Sequence, residues 1–153
     1  MKEHQQYAVD QVEHCNIYRD LVLNFCTKLM KDANSHDTSK FSDKEYDGFI
    51  SNQLAFLEAK TGFDSEYQKG LKSEAIQHHI LNNKHHPEYW SSRKKVMPLE
   101  YVILMFFDWL SRSIQKGDDM DSFWSYNISK LDDQVLPKEV VHLMRLHYKE
   151  YTQ

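Results

Sequence analysis

Apolar side chains in the first part of the chain recur at the spacing of one helix face. They follow one another three to five residues apart, at Val9, Val12, Ile17, Leu21, Phe25 and Leu29. This spacing predicts a helix over about residues 3–32 that buries one side. His14 lies three residues before Ile17, so we expect it to point inward from the same face.

The middle of the chain predicts two further helices. Residues 42–45, Ser-Asp-Lys-Glu, are typical of a capping box, in which Ser42 accepts from a free backbone N–H and Glu45 reaches back. They favour a second helix over about 43–60, ended by the Thr-Gly pair at 61–62. Asp64 or Ser65 then caps a third helix that runs to about His85.

Prolines in the second half of the chain mark the predicted helix boundaries. Pro87 closes the third helix, because the residue before a proline is pushed out of the helical region. Residues 89–95, with Tyr-Trp and a basic Arg-Lys-Lys run, are expected in a loop. Pro98 suits the first turn of a fourth helix, whose residues 101–107 are apolar nearly all round and therefore central. After a turn at Gly117, the pattern predicts a short helix near 120–131 and a last one from Pro137 to about 150.

Composition supports one all-α domain over residues 1–153, an irregular bundle of five to six helices. Only 4 Gly and 3 Pro are present, too few for a many-turned β fold, and 41% of the residues are hydrophobic. The formal charge of -4 gives no case for duplex nucleic acid or a membrane surface. The apolar runs are too short for a membrane span, and the polar N-terminus is unlike a signal peptide. Cys15 and Cys26 fit buried thiols of a reducing compartment, so we expect a cytoplasmic protein.

Potential metal ligands form a series along the chain: His14, His36-Asp37, His78-His79, His85-His86 and Asp108. A neighbouring His and Asp can serve one site only if the backbone turns between them. Asp108 lies within an apolar helix, where an ionised carboxylate must be paired or bound to a cation. A structural pair with Arg or Lys is the alternative for Asp108 taken alone; beside the histidines it is better explained as a ligand.

Histidines of the third helix lie on two neighbouring stripes. His79, Asn83 and His86 share one face, and His78, Asn82 and His85 form a stripe turned by roughly 100°. One stripe can face a metal site. We favour His79 and His86 as ligands, with His85 the rival of His86 because the helix can unwind before Pro87.

The ordered ligands and the string His36-Asp37-Thr38-Ser39-Lys40-Phe41 resemble the HD superfamily of metal-dependent helical phosphohydrolases. The resemblance covers about residues 14–108. It implies that His14, His36, Asp37 and Asp108 form a one-metal core and that His79 and His86 complete a two-metal site. It also implies that Lys40 holds a substrate phosphate, although a solvated lysine is the ordinary alternative. The local strings are similar to a small family of phage and bacterial proteins of unassigned function.

The implied function is hydrolysis of a small anionic phosphomonoester or phosphodiester, a nucleotide among the candidates, by a metal-activated water. Asp37 and Lys40 are the expected catalytic residues, and Lys40, Asn83 and His85 the expected substrate contacts. One or two divalent ions are implied, with Fe, Mn, Zn, Co and Ni all compatible with these ligands. The same arrangement resembles HD-type di-iron oxygenases, and a non-enzymatic, metal-stabilised nucleotide-binding phage protein is a third alternative.

Overall fold

The computed structural model describes residues 2–58 and 73–117, together with residues 125, 127, 128, 135, 140, 142 and 146. The regular elements in these residues are five α-helices and one short 3₁₀ helix, so the predicted all-α class is confirmed. The chain divides into two compact units, Met1–His36 and Asp37–Gln153. The number of domains stays a prediction. No helix in the described residues is long and apolar enough to cross a membrane.

The first unit contains helix α1, Lys2–Asn34, which confirms the first predicted helix. The prediction of a buried face is wrong: Val12, Ile17 and Leu21 are each more than half exposed, and His14 is exposed as well. A single helix has no second element within its own unit to cover an apolar face. Cys15 and Cys26 are free and exposed for the same reason, so the expectation of buried thiols is also wrong.

The second unit begins with a 3₁₀ helix, Thr38–Phe41, followed by helix α2, Tyr46–Glu58. The predicted capping box at 42–45 is wrong. The Ser42 N–H donates to Ser39 O over 2.9 Å, and residues 43–45 form a turn, so α2 begins three residues later than expected. The carboxylate of Glu45 is therefore available for other contacts, described below.

Helix α3, Glu74–Asn82, begins after Ser73, whose hydroxyl accepts from the Ile76 N–H. The start expected near Asp64 or Ser65 lies outside the described residues. The helix ends three residues before the expected end, because Asn83 adopts an extended conformation. His86 is also extended, with φ -93° and ψ 128°, as expected for a residue before proline.

Pro87 opens helix α4, Pro87–Ser91, which contains Tyr89 and Trp90. The prediction of a loop at these two residues is wrong, because proline favours the first position of a helix as well as the end of the one before it.

Helix α5, Leu99–Lys116, carries most of the described core and confirms the predicted central helix. Its C-terminus is capped by Gly117 in the left-handed region at φ 65°, which glycine adopts without steric cost. The buried apolar cluster consists of Met97, Tyr101, Val102, Met105, Phe106, Leu110 and Val135. Both helices predicted beyond Gly117 fall outside the continuously described residues.

Helices α2 and α3 pack closely at Gly48. A Cβ at this position would lie 2.2 Å from the Cβ of Ala75, closer than two non-bonded carbon atoms can approach. The absence of a side chain at Gly48 therefore lets the first turn of α2 lie against α3. Because of this packing, Glu45, which directly precedes α2, lies beside His78 and His79 on α3.

Candidate metal centre

Asp37 adopts a left-handed backbone conformation, with φ 58° and ψ 10°. This region is uncommon for residues other than glycine, and aspartate tolerates it better than most. Its carbonyl accepts from the Lys40 N–H over 3.0 Å, which begins the 3₁₀ helix. The backbone thus turns at the His-Asp pair, as expected from the sequence.

Four side chains of the second unit bring potential ligand atoms within 4.8 Å of one another: Asp37, His79, His85 and His86. Asp37 Oδ1 lies 3.1 Å from His79 Nε2 and 3.4 Å from His85 Nε2. Ligand atoms about 2.0–2.2 Å from one shared cation lie about 3.0–3.6 Å from each other. The spacing of these atoms is therefore that of neighbouring ligands around a single ion.

The cluster is buried and its imidazoles suit metal binding. His79 and His85 are only 2% and 8% exposed. Burial, together with electrostatic repulsion from the neighbouring His85 and His79, lowers the pKa of His86 to about 3, although Asp108 and Asp37 act in the opposite direction. A neutral imidazole keeps the lone pair that a metal requires. The Nε2 atoms of His79 and His86 are buried and make no hydrogen bond to the described part of the chain.

Glu45 supports the cluster from behind His79. Its side chain is fully buried, and its oxygens lie 2.7 Å from His78 Nδ1 and 2.9 Å from His79 Nδ1. Burial alone would raise the pKa of Glu45, but hydrogen bonds from His78, His79 and Ser39 outweigh it and hold the pKa below its ordinary value. Sequence reasoning missed this residue because the capping box offered a sufficient explanation for a glutamate at 45.

Lys40 is part of the site's charge balance. Its ammonium pairs with Asp37 Oδ2 and lies 4.9 Å from the centre of the Phe49 ring. The side chain is 17% exposed, so Lys40 differs from an ordinary solvated lysine. Asp37 therefore directs one carboxylate oxygen to the imidazoles and the other to a cation.

A family model matches residues 3–146, nearly the whole chain; its description is DUF5662, a family of unknown function. The chain belongs to this family. No curated protein and no solved structure matches the chain. The expected similarity to a family of unassigned function is confirmed, and the site described above is a feature of a DUF5662 protein.

The remaining predicted ligands of this DUF5662 protein lie in different places. His14 is exposed on α1, and His36 lies in the turn after α1; both belong to the unit Met1–His36, and their ligand roles stay predictions. Asp108 is half-buried on α5 in the other unit, where it and His85 offer ligand atoms within 4.8 Å of each other. His85 and His86 both join the four-residue cluster, because the chain leaves the helix at Asn83.

Asn83, an expected substrate contact, and Arg93, the first residue of the basic run, make contacts within the protein. The Asn83 amide donates to Ser39 Oγ over 3.0 Å and to His79 O over 2.9 Å. The Arg93 guanidinium stacks 3.7 Å from the centre of the Tyr89 ring and donates to Tyr89 O. Asn83 therefore orders the residues beside the cluster, and its role toward a substrate stays a prediction.

Proposed function

We propose that this chain is a metal-dependent phosphohydrolase of the HD type, acting in the cytoplasm on a small phosphomonoester or phosphodiester, with nucleotides as candidates. The observation that supports it is the convergence of Asp37 Oδ1 on buried imidazole nitrogens. The resemblance to the HD superfamily, carried by the ordered ligands, supplies the reaction class.

The residues fit a divalent transition metal. Asp37, His79, His85 and His86 offer one carboxylate oxygen and three imidazole nitrogens, a donor set compatible with Fe, Mn, Zn, Co or Ni. The buried Nε2 atom of His86 makes no hydrogen bond to the described residues, and a cation would satisfy it. We add Asp108 as a further ligand from the same unit, and the resemblance adds His14 and His36.

A divalent ion at this site would supply a water of lowered pKa and polarise a phosphoryl oxygen. The chain's own contribution is to hold the donors in place and to exclude bulk water, since all three imidazoles of the cluster are buried or half-buried. Lys40 supplies a cation beside the cluster, where it stabilises negative charge on a bound phosphate. Asp37 keeps that ammonium close to the donors through Oδ2.

The test is elemental analysis of protein purified without chelator, beside a screen of phosphate esters for released phosphate. We expect at least one bound transition-metal ion per chain and metal-dependent release that needs no oxygen. Asp37→Ala should lose both the metal and the activity, because it removes the oxygen shared by the cluster. Full metal occupancy in Asp37→Ala would contradict the site. Oxygen consumption with a mixed-valent iron signal would replace the hydrolase by the oxygenase alternative.

A further inference from the structure

Glu45 is a fully buried carboxylate whose described partners are two imidazoles and a hydroxyl. His78 Nδ1 lies 2.7 Å from Oε1, while His79 Nδ1 and Ser39 Oγ each lie 2.9 Å from Oε2. Burying a carboxylate is costly unless hydrogen bonds compensate it, so these three contacts are needed to keep Glu45 inside. Contacts of this kind also determine which nitrogen of each imidazole carries its proton.

The neighbouring contacts assign the proton of His79. Three groups approach its Nδ1 atom: Glu45 Oε2 at 2.9 Å, and Ser39 Oγ and Asn83 Nδ2 at 3.1 Å each. The Ser39 hydroxyl donates its hydrogen to Glu45 Oε2. Asn83 donates its two amide hydrogens to Ser39 Oγ and to His79 O. None of the three neighbours therefore has a hydrogen to donate to Nδ1, and the carboxylate of Glu45 can only accept. Nδ1 must itself be the donor.

A proton on Nδ1 leaves a lone pair on Nε2 of the neutral ring. That lone pair lies 3.1 Å from Asp37 Oδ1, so two acceptor atoms face each other in a buried place. Two acceptors at this distance repel unless a proton or a metal cation lies between them. The carboxylate behind the imidazole thus prepares the opposite nitrogen for a metal, an arrangement known to orient and strengthen metal-binding histidines.

We propose that Glu45 is a positioning residue that holds His79 with its proton on Nδ1 and its Nε2 atom directed to the metal, while His78 and Ser39 anchor the carboxylate. This inference rests on the proposed metal centre but concerns the metal-free protein as well. The exposed Asp47, two residues further along, has no such contact among the described hydrogen bonds and provides a matched control.

The first test is long-range proton–nitrogen NMR of metal-free, nitrogen-labelled protein at pH 8, with the signals assigned through His78→Ala and His79→Ala. We expect His79 to carry its proton on Nδ1 in the wild type and in Asp47→Ala. Glu45→Ala should shift the proton to Nε2, the tautomer that a neutral imidazole prefers in water. A wild-type His79 protonated at Nε2 alone would overturn the proposal, and this outcome is read from the wild-type spectrum.

The second test is the affinity for Zn²⁺ or Co²⁺, measured by competition with a chromogenic chelator. Glu45→Ala should weaken binding about 10- to 100-fold, the usual effect of losing a partner of a metal-binding histidine. Glu45→Gln, which keeps an acceptor for Nδ1, should recover part of that loss, and Asp47→Ala should bind like the wild type. Unchanged affinity in a folded Glu45→Ala protein would overturn the proposal. A wild type that binds neither ion would refute the metal centre, while the NMR result would still decide the role of Glu45 toward His79.

Discussion

Asp37 gives its two carboxylate oxygens different partners. Oδ1 faces His79 and His85, and Oδ2 pairs with the Lys40 ammonium. This division suits one cation at the imidazoles, with a lysine beside it. In the two-metal site that the HD resemblance implies, a second ion could bind Asp37 only by replacing the Lys40 ammonium at Oδ2. The count of bound ions therefore also reports on the position of Lys40.

Lys40→Ala should leave the metal content at or above the wild-type level, because it removes a competing cation from Asp37. Turnover of a phosphate ester should fall about 10- to 1,000-fold, or about 1.4 to 4 kcal/mol, for the loss of one charged contact to the transition state. Metal analysis and steady-state kinetics on the same preparation test this. Lys44→Ala is the control, since Lys44 is exposed only four residues away. Unchanged kinetics in Lys40→Ala would make Lys40 a structural partner of Asp37 alone.

At the scale of elements, the site depends on the distance between α2 and α3. Glu45 precedes α2 and His79 lies in the last turn of α3, and Gly48 sets how near the two helices come. Glycine inside a helix ordinarily costs about 0.5–1 kcal/mol relative to alanine. Here that cost is offset by the close approach, which an added methyl group at 2.2 Å from Ala75 Cβ would prevent.

Gly48→Ala should therefore destabilise the fold by about 1–3 kcal/mol, as expected for overpacking, despite its gain in helix propensity. Because the helices must separate, metal affinity should fall too. Chemical denaturation and metal titration measure the two effects. Gly117→Ala is the comparison: it forces alanine into a left-handed conformation at the end of α5 with nothing within 4 Å of the new Cβ. It should lower stability alone, and equal metal affinity in both variants would contradict this role of Gly48.

The sequence predicted the elements with strong local signals and missed those that depend on tertiary contacts. The periodicity of α1 and the proline and glycine at the ends of α5 sufficed for both helices. The end of α3 at Asn82 was missed, because two histidine pairs seven residues apart fit helical stripes equally well. Glu45 was missed because a capping box is a local pattern, whereas its partners His78 and His79 lie more than thirty residues away.

At the scale of the molecule, metal binding should be coupled to folding. A ligand that binds the native state alone stabilises it by mass action, by about 2.7 kcal/mol at one hundred times its dissociation constant. The clustered donors come from separate parts of the unit Asp37–Gln153, near residues 37, 79, 85–86 and 108, so an unfolded chain cannot present them together. Removal of the ion should consequently lower the melting temperature.

Asp108→Ala tests whether α5 takes part in this coupling. If Asp108 binds the ion, chelator should lower the melting temperature of the wild type more than that of Asp108→Ala, because the variant binds metal less tightly. Thermal melts with and without chelator provide the comparison. An equal decrease in both proteins, or none in the wild type, would show that Asp108 serves a side-chain partner and has no role in metal binding.

The most direct test of the central claim compares two adjacent histidines, His79→Ala and His78→Ala, by metal stoichiometry and affinity. His79 Nε2 lies 3.1 Å from Asp37 Oδ1 within the cluster, whereas His78 makes its described contact with Glu45. We expect His79→Ala to bind Zn²⁺ or Co²⁺ at least 100-fold more weakly than the wild type, with His78→Ala within about tenfold of it, as for the loss of a supporting contact. Equal binding by His79→Ala and the wild type would contradict the metal centre.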